Sequence, residues 1–205
     1  MPLSTEDQKH LTAAQGFTEL GMWLDANAEL EEIDPEVRHF PEVLEVRVRI
    51  YRALEKWELM QTVAKKLTEV DPTDSRWPLA WAYATRRAES VDAARFILIA
   101  AWELHEKEPL IPYNIACYMC QLGQNEIAKG MLEVAFKLSP EMRAAALDDE
   151  DLKPMWDQMA GMRMGKKIAQ LDPVEMRTSP KIARILIAGT SGVHEDDAPH
   201  LDECQ

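Results

Sequence analysis

Apolar residues recur at i, i+3, i+4 and i+7 through most of the chain, the spacing of one face of an α-helix. The strand pattern of strict alternation in β-branched runs is scarce, so the sequence predicts an almost wholly helical protein. The apolar positions also keep a longer register. Ala14, Val48, Ala82 and Ala116 stand 34 residues apart, and so do Ala26, Met60, Ala94 and Ala128. Leu30, Ala64, Leu98 and Leu132 take the same step, as do Ile33, Leu67, Ala101 and Ala135. The first column falls on one helix of each unit. The other three, at +4 and +3 from one another, fall on one face of a second helix. Each unit is therefore expected to be a helical hairpin, with its small first-column residue letting helices approach to about 8–10 Å.

The punctuation between columns agrees with this reading. Gly21 and Gly123 occupy corresponding places before the second helix, where a sharp reversal calls for a left-handed C-cap. The turns themselves fall at Met22-Trp23, Lys56-Trp57, Ser90-Val91 and Gln124-Asn125. The second helices are expected to stop near Asp34-Pro35, Asp71-Pro72, Glu108-Pro109 and Ser139-Pro140, because proline can neither donate to nor continue the helical ladder. Four hairpins, residues 4–142, would be followed by a capping and C-terminal helical segment, residues 143–188, and an acidic, disordered tail, residues 189–205. Leu147, Leu152, Met155 and Trp156 are the residues suited to cover the apolar face that a last repeat leaves.

The repeat resembles the tetratricopeptide repeat family, which combines a 34-residue unit, a small residue on helix A, an aromatic three positions on, an alanine opening the helix B face, and a terminal proline. Phe17 and Tyr51 fill the aromatic place, whereas Thr85 and Met119 depart from it. The unit PYNIACYMCQLGQNEIAKGMLEVAFKLSP matches best, and the resemblance covers roughly residues 7 to 142. The stretch AAALDDEDLKPMWDQM is similar to the segment that closes many bacterial proteins of this type. The resemblance implies an all-α fold, an open right-handed α-α superhelix of about four hairpins. It also implies a concave surface, lined by helix A, that binds protein or peptide segments.

In this register the lining residues are Arg49, Arg52, Arg76, Tyr83, Arg86, Arg87, Tyr113, Asn114, Cys117, Cys120 and Gln121. Five arginines cluster between residues 49 and 87 in a chain whose formal net charge is -13. Guanidinium groups fork onto carboxylates, so the cluster suits an acidic partner segment or a C-terminal carboxylate. Family members that hold peptide C-termini use an asparagine on helix A, and Asn114 stands at a matching place. The alternative is that the arginines pair with local acids such as Glu45 and Glu89. A further variant places the tail around Val193 and His194 in the groove as an autoinhibitor.

Charge and composition exclude other classes. Lys+Arg 23 against Asp+Glu 36 repels nucleic-acid phosphates and anionic membranes, and no run approaches the roughly 18 apolar residues of a membrane span. A cytoplasmic protein, monomeric or weakly dimeric, is expected. Cys117 and Cys120 form a C-x-x-C in the middle of a predicted helix, away from the helix N-terminus that would activate a thiol, and no further ligand pair accompanies them. They read as packed or groove-lining thiols. His10, His39, His105, His194 and His200 are scattered, and no nucleophile elbow or phosphate loop occurs. Acid pairs such as Glu31-Glu32 read as solvated helix faces, and the tryptophans as core, with Trp77 and Trp81 as candidates for exposed anchors. The leading expectation is a noncatalytic binding module with no cofactor. The competing readings are a thiol-redox or metal protein using Cys117 and Cys120, and a structural protein that self-associates through its end faces.

Overall fold

A computed structural model describes residues 2–156, and the expectations for the C-terminal segment beyond 156 and for the acidic tail, with Cys204, His194 and His200, lie outside the described residues. The described chain is all-α. It runs α1 (Thr5–Glu19), α2 (Trp23–Glu32), α3 (Pro41–Ala53), α4 (Trp57–Val70), α5 (Arg76–Ala88), α6 (Val91–Trp102), α7 (Leu110–Gln121), α8 (Asn125–Leu138), a single turn α9 (Met142–Ala145) and a 3-10 helix (Glu150–Met155). Helices α1/α2, α3/α4, α5/α6 and α7/α8 pair as hairpins, and α2 on α3, α4 on α5 and α6 on α7 join each hairpin to the next. The result is a solenoid of helical hairpins.

All four apolar columns are buried, at 0 to 8% exposure in every copy. The core they form is a series of local clusters. One joins the first hairpin to α3 through Leu11, Ala14, Leu30, Ile33, Val43 and Ile50. The next joins α3, α4 and α5 through Leu44, Val48, Met60, Leu67 and Trp77. Trp77 is therefore core, while Trp81 is half-buried under the Lys65 ammonium, 5.7 Å from its ring.

Local chemistry fixes the helix ends. Ser4 and Asp7 form a reciprocal capping box at α1. Asp7 Oδ1 also accepts from the Asp34 amide at 2.8 Å, tying the start of α1 to the end of the same hairpin. Gly21 and Gly123 both have φ +73°, the left-handed conformation expected of them. The equivalent place in the second hairpin is Glu55, at φ 54°, a conformation that side chains disfavour. In the third hairpin Glu89 is not left-handed, and Ser90 instead caps α6 by accepting from the Ala93 amide at 3.0 Å.

Three of the four predicted helix stops fall within two residues of the expected place. The third does not, because α6 ends at Trp102 and residues up to Pro109 form turns. Pro109 serves as the N-cap of α7 rather than the end of α6. Glu108 accepts from the Leu110 amide at 3.1 Å and from Ser75 Oγ at 2.9 Å, so the longer connection is stitched to the preceding inter-hairpin loop.

The segment after α8 folds back on the fourth hairpin. The 3-10 helix packs on α7, with Leu152 and Met155 fully buried and Ala146 nearly so. Leu147 and Trp156 are half-buried. No helix of the described residues is long and apolar enough to cross a membrane.

Candidate functional site

The five clustered arginines divide into two groups with different surroundings. Arg49, Arg76 and Arg86 already hold carboxylates of their own chain. Glu45 meets Arg49 at 3.6 Å, one turn away, and Arg76 at 3.0 Å; Asp74 meets Arg76 at 2.7 Å. These bonds, Asp74 first, hold the Arg76 guanidinium well above its ordinary pKa. The other local acid, Glu89, accepts from Gln61 at 2.5 Å instead of from an arginine. Arg86 forks onto Asp151, with Nη2 donating to Oδ1 at 2.7 Å and Nη1 donating to Oδ2. Its pKa is raised by that hydrogen bond.

Arg52 and Arg87 are the second group. Arg87 lies 3.7 Å from the centre of the Tyr83 ring, and Arg52 lies 4.8 Å from it. Arg87 also stands over Trp57 at 5.1 Å, and Trp57 meets Tyr83 edge-on at 5.8 Å. Both arginines are exposed, and among the described residues neither pairs with a carboxylate. Stacking fixes the planes of the guanidinium groups, and Arg87 Nη1 also donates to the Tyr83 carbonyl at 3.5 Å, which leaves its other N–H groups for a partner. Tyr83 and Arg87 come from α5, Arg52 from α3 and Trp57 from the start of α4, so the cluster exists only where two hairpins meet.

Beside this stack is an open cleft of about 540 Å³ lined by Thr18, Glu19, Trp23, Arg49, Arg52, Ala53, Glu55, Trp57 and Tyr83. Thr18, Arg52 and Ala53 sit at the C-terminal ends of α1 and α3, and Trp23 and Trp57 open α2 and α4. The cleft therefore lies along the edge where the hairpins turn. Trp23 and Trp57, spaced by one repeat, are half-buried and add apolar surface to it.

Of the remaining predicted lining residues, Tyr113 and Cys117 face the protein's own acidic turn. Tyr113 Oη donates to Asp149 Oδ2 at 2.9 Å, and the Cys117 thiol approaches the same oxygen at 3.7 Å. Asp149 in turn accepts from the Asp151 amide at 3.0 Å and caps the 3-10 helix. Burial, then the Asp149 hydrogen bond, pushes the Tyr113 pKa up. Asn114 Nδ2 donates to the Leu110 carbonyl of its own helix at 2.7 Å, and Gln121 is exposed at the end of α7. Arg76, at the opposite end of α5 from Arg87, does not join the stack.

Cys117 and Cys120 are buried and form no disulfide among the described residues. Burial, followed by the nearby Asp149 and Asp151, raises the Cys117 pKa; burial raises that of Cys120. Neither thiol is set up as a thiolate. Cys117 does bring its sulfur and the carboxylates of Asp149 and Asp151 within 4.8 Å of one another. A metal fits that group poorly, because Asp151 is already neutralised by Arg86 and a cation there would face the guanidinium. Tyr118, under Arg86 at 5.6 Å, has its pKa pushed up to about 12 by burial.

Sequence reasoning missed the acidic turn as an occupant of the inner face, although DDED stands in plain view at 148–151. It also missed Glu31, which is not merely solvated: it meets Arg47 at 2.9 Å and Arg38 at 2.7 Å, joining α2 to the next hairpin. No protein-family model matches the sequence, and no curated protein matches it.

Proposed function

We propose that this chain is a noncatalytic interaction module, built in the manner of a tetratricopeptide repeat, that holds an acidic segment of a partner protein through Arg52 and Arg87. The observation that carries this reading is the Arg52–Tyr83–Arg87 stack, two oriented guanidinium groups that hold no carboxylate among the described residues. The planar forks of arginine match carboxylates. The chain supplies its own example at the neighbouring position on α5, where Arg86 grips Asp151 through both nitrogens. The buried, raised-pKa thiols favour this reading over redox chemistry at Cys117 and Cys120.

The test is an NMR titration at low salt with an acetylated and amidated Gly-Ser-Asp-Ser-Glu-Ser-Gly peptide. Reversing both charges, Arg52→Glu with Arg87→Glu, is expected to weaken binding by at least about tenfold, since hydrogen bonds to charged groups contribute about 1.5–3 kcal/mol each. Both side chains are exposed, so the variant should keep its fold. Unchanged affinity in the folded double variant rejects the proposal.

A further inference from the structure

We infer that the hairpin-edge cleft beside the arginine stack selects a partner segment in which a large apolar side chain sits next to a carboxylate, rather than a continuous acidic run. The inference rests on the reading above and specifies the partner's chemistry.

Three observations lead to it. The cleft is chemically mixed: Trp23, Ala53, Trp57 and Tyr83 give it apolar walls, while Arg49 and Arg52 border it with positive charge. Glu19 and Glu55 belong to the same lining. Two carboxylates at the cleft wall repel a dense row of partner acids, but tolerate a single carboxylate held on the arginine side. Finally, the surface around the cleft is more apolar than a solvated turn needs. Leu20 and Leu24, on either side of the first hairpin turn, are 73% exposed, Met22 between them is 41% exposed, and Leu59, just after Trp57, is 50% exposed. Single exposed leucines are ordinary, but exposed apolar residues recurring at two successive hairpin turns that also carry half-buried tryptophans add apolar surface at this end of the hairpins.

The volume is consistent with this occupant. About 540 Å³ accommodates an aromatic or large aliphatic side chain with a stretch of backbone. The charge left without a counter-ion among the described residues is cationic, so the complementary flank of the partner is anionic. The apolar side chain supplies affinity by leaving water against the tryptophans, and the carboxylate, forked by Arg52 or Arg87, sets its register. Residues from α1 to α5 build the cleft, whereas the acidic turn at 148–151 occupies Arg86, Tyr113 and Cys117 farther along the stack. Among the described residues, a partner thus meets this edge without displacing the turn.

The experiment compares the peptide already named with one in which phenylalanine replaces its central serine, Gly-Ser-Asp-Phe-Glu-Ser-Gly, and with hexaglutamate. Affinities come from titration of the full chain. The position of the anchor comes from the indole N–H resonances, assigned with Trp23→Phe and Trp57→Phe. The phenylalanine peptide is expected to bind at least about tenfold more tightly than the serine peptide, the gain from burying one aromatic side chain. It should also bind more tightly than hexaglutamate and shift the Trp23 and Trp57 signals, while those of buried Trp77 and Trp102 stay still. Equal affinity of the phenylalanine and serine peptides overturns the inference. So does tighter binding that leaves Trp23 and Trp57 unmoved, or a preference for hexaglutamate. If those results come with sensitivity to the Arg52 and Arg87 reversal, acid recognition survives and only the apolar anchor is lost. Indifference of every peptide to that reversal instead removes the underlying reading.

Discussion

Glu55 shows how a single residue can depart from its repeat while the fold keeps its shape. It stands 34 residues from Gly21 and adopts the same left-handed backbone, at φ 54° against 73°. A β-carbon added at Gly21 or Gly123 would meet nothing within 4 Å, so glycine is favoured at this place for its backbone freedom and not for space. The left-handed conformation costs a side-chain-bearing residue about 1–2 kcal/mol, partly offset by the greater freedom of glycine in the unfolded chain. Glu55→Gly is therefore expected to stabilise the protein by about 0.5–1 kcal/mol, read as a higher urea midpoint at unchanged slope. A lower midpoint would show that the Glu55 side chain compensates for its backbone. The sequence marked Gly21 and Gly123 because glycine advertises this conformation, and it passed over Glu55 because glutamate does not.

At the scale of elements, helix pairing follows from the apolar columns, but the polar ties between helices do not. His10 Nδ1 and Glu29 Oε2 are 2.8 Å apart, linking α1 to α2 across 19 residues. Nothing in their spacing distinguishes them from the other scattered histidines and acids. The Glu29 hydrogen bond raises the His10 pKa above its ordinary 6.5. A raised folded-state pKa contributes stability that is fully present below the unfolded value and lost as pH rises through the folded one. The urea midpoint should accordingly fall as pH rises from about 6.5 through the raised folded-state value, and Glu29→Gln should flatten that fall. An identical slope in the variant would show that other groups carry it. The exposed setting keeps the effect small. The third hairpin gives the complementary lesson: proline at 109 fixed where a helix cannot continue, yet α6 stops at Trp102 because the turn ending at Glu108 has its own partners in Ser75 and Leu110.

At the scale of the whole molecule, the end of the described stack covers part of the surface that α5 and α7 present. Leu152 and Met155 seal the apolar surface of the last hairpin, as their pattern suggested, and the acids between them and α9 reach inward to Arg86, Tyr113 and Cys117. Burying Leu152 anchors that arrangement. Leu152→Ala is expected to cost about 2–5 kcal/mol in denaturant unfolding, with hydrogen exchange rising first in α7 and α8. A loss below about 0.5 kcal/mol, the range of an ordinary surface change, would mean that the turn is merely laid on the stack.

The sequence by itself determined the hairpin period, the buried columns and most helix ends, because these depend on spacing along one chain and on the backbone limits of glycine and proline. It also placed Arg49, Arg52, Tyr83 and Arg87 among the binding candidates. Only the tertiary structure decided which arginines are already neutralised, since Asp151 reaches Arg86 across 65 residues and Glu45 reaches Arg76 across 31. Ion pairs and stacks of this kind depend on where distant side chains end in space, and periodicity carries no record of that. The same physics set Arg52 and Arg87 on Tyr83 and opened the cleft at the hairpin edge.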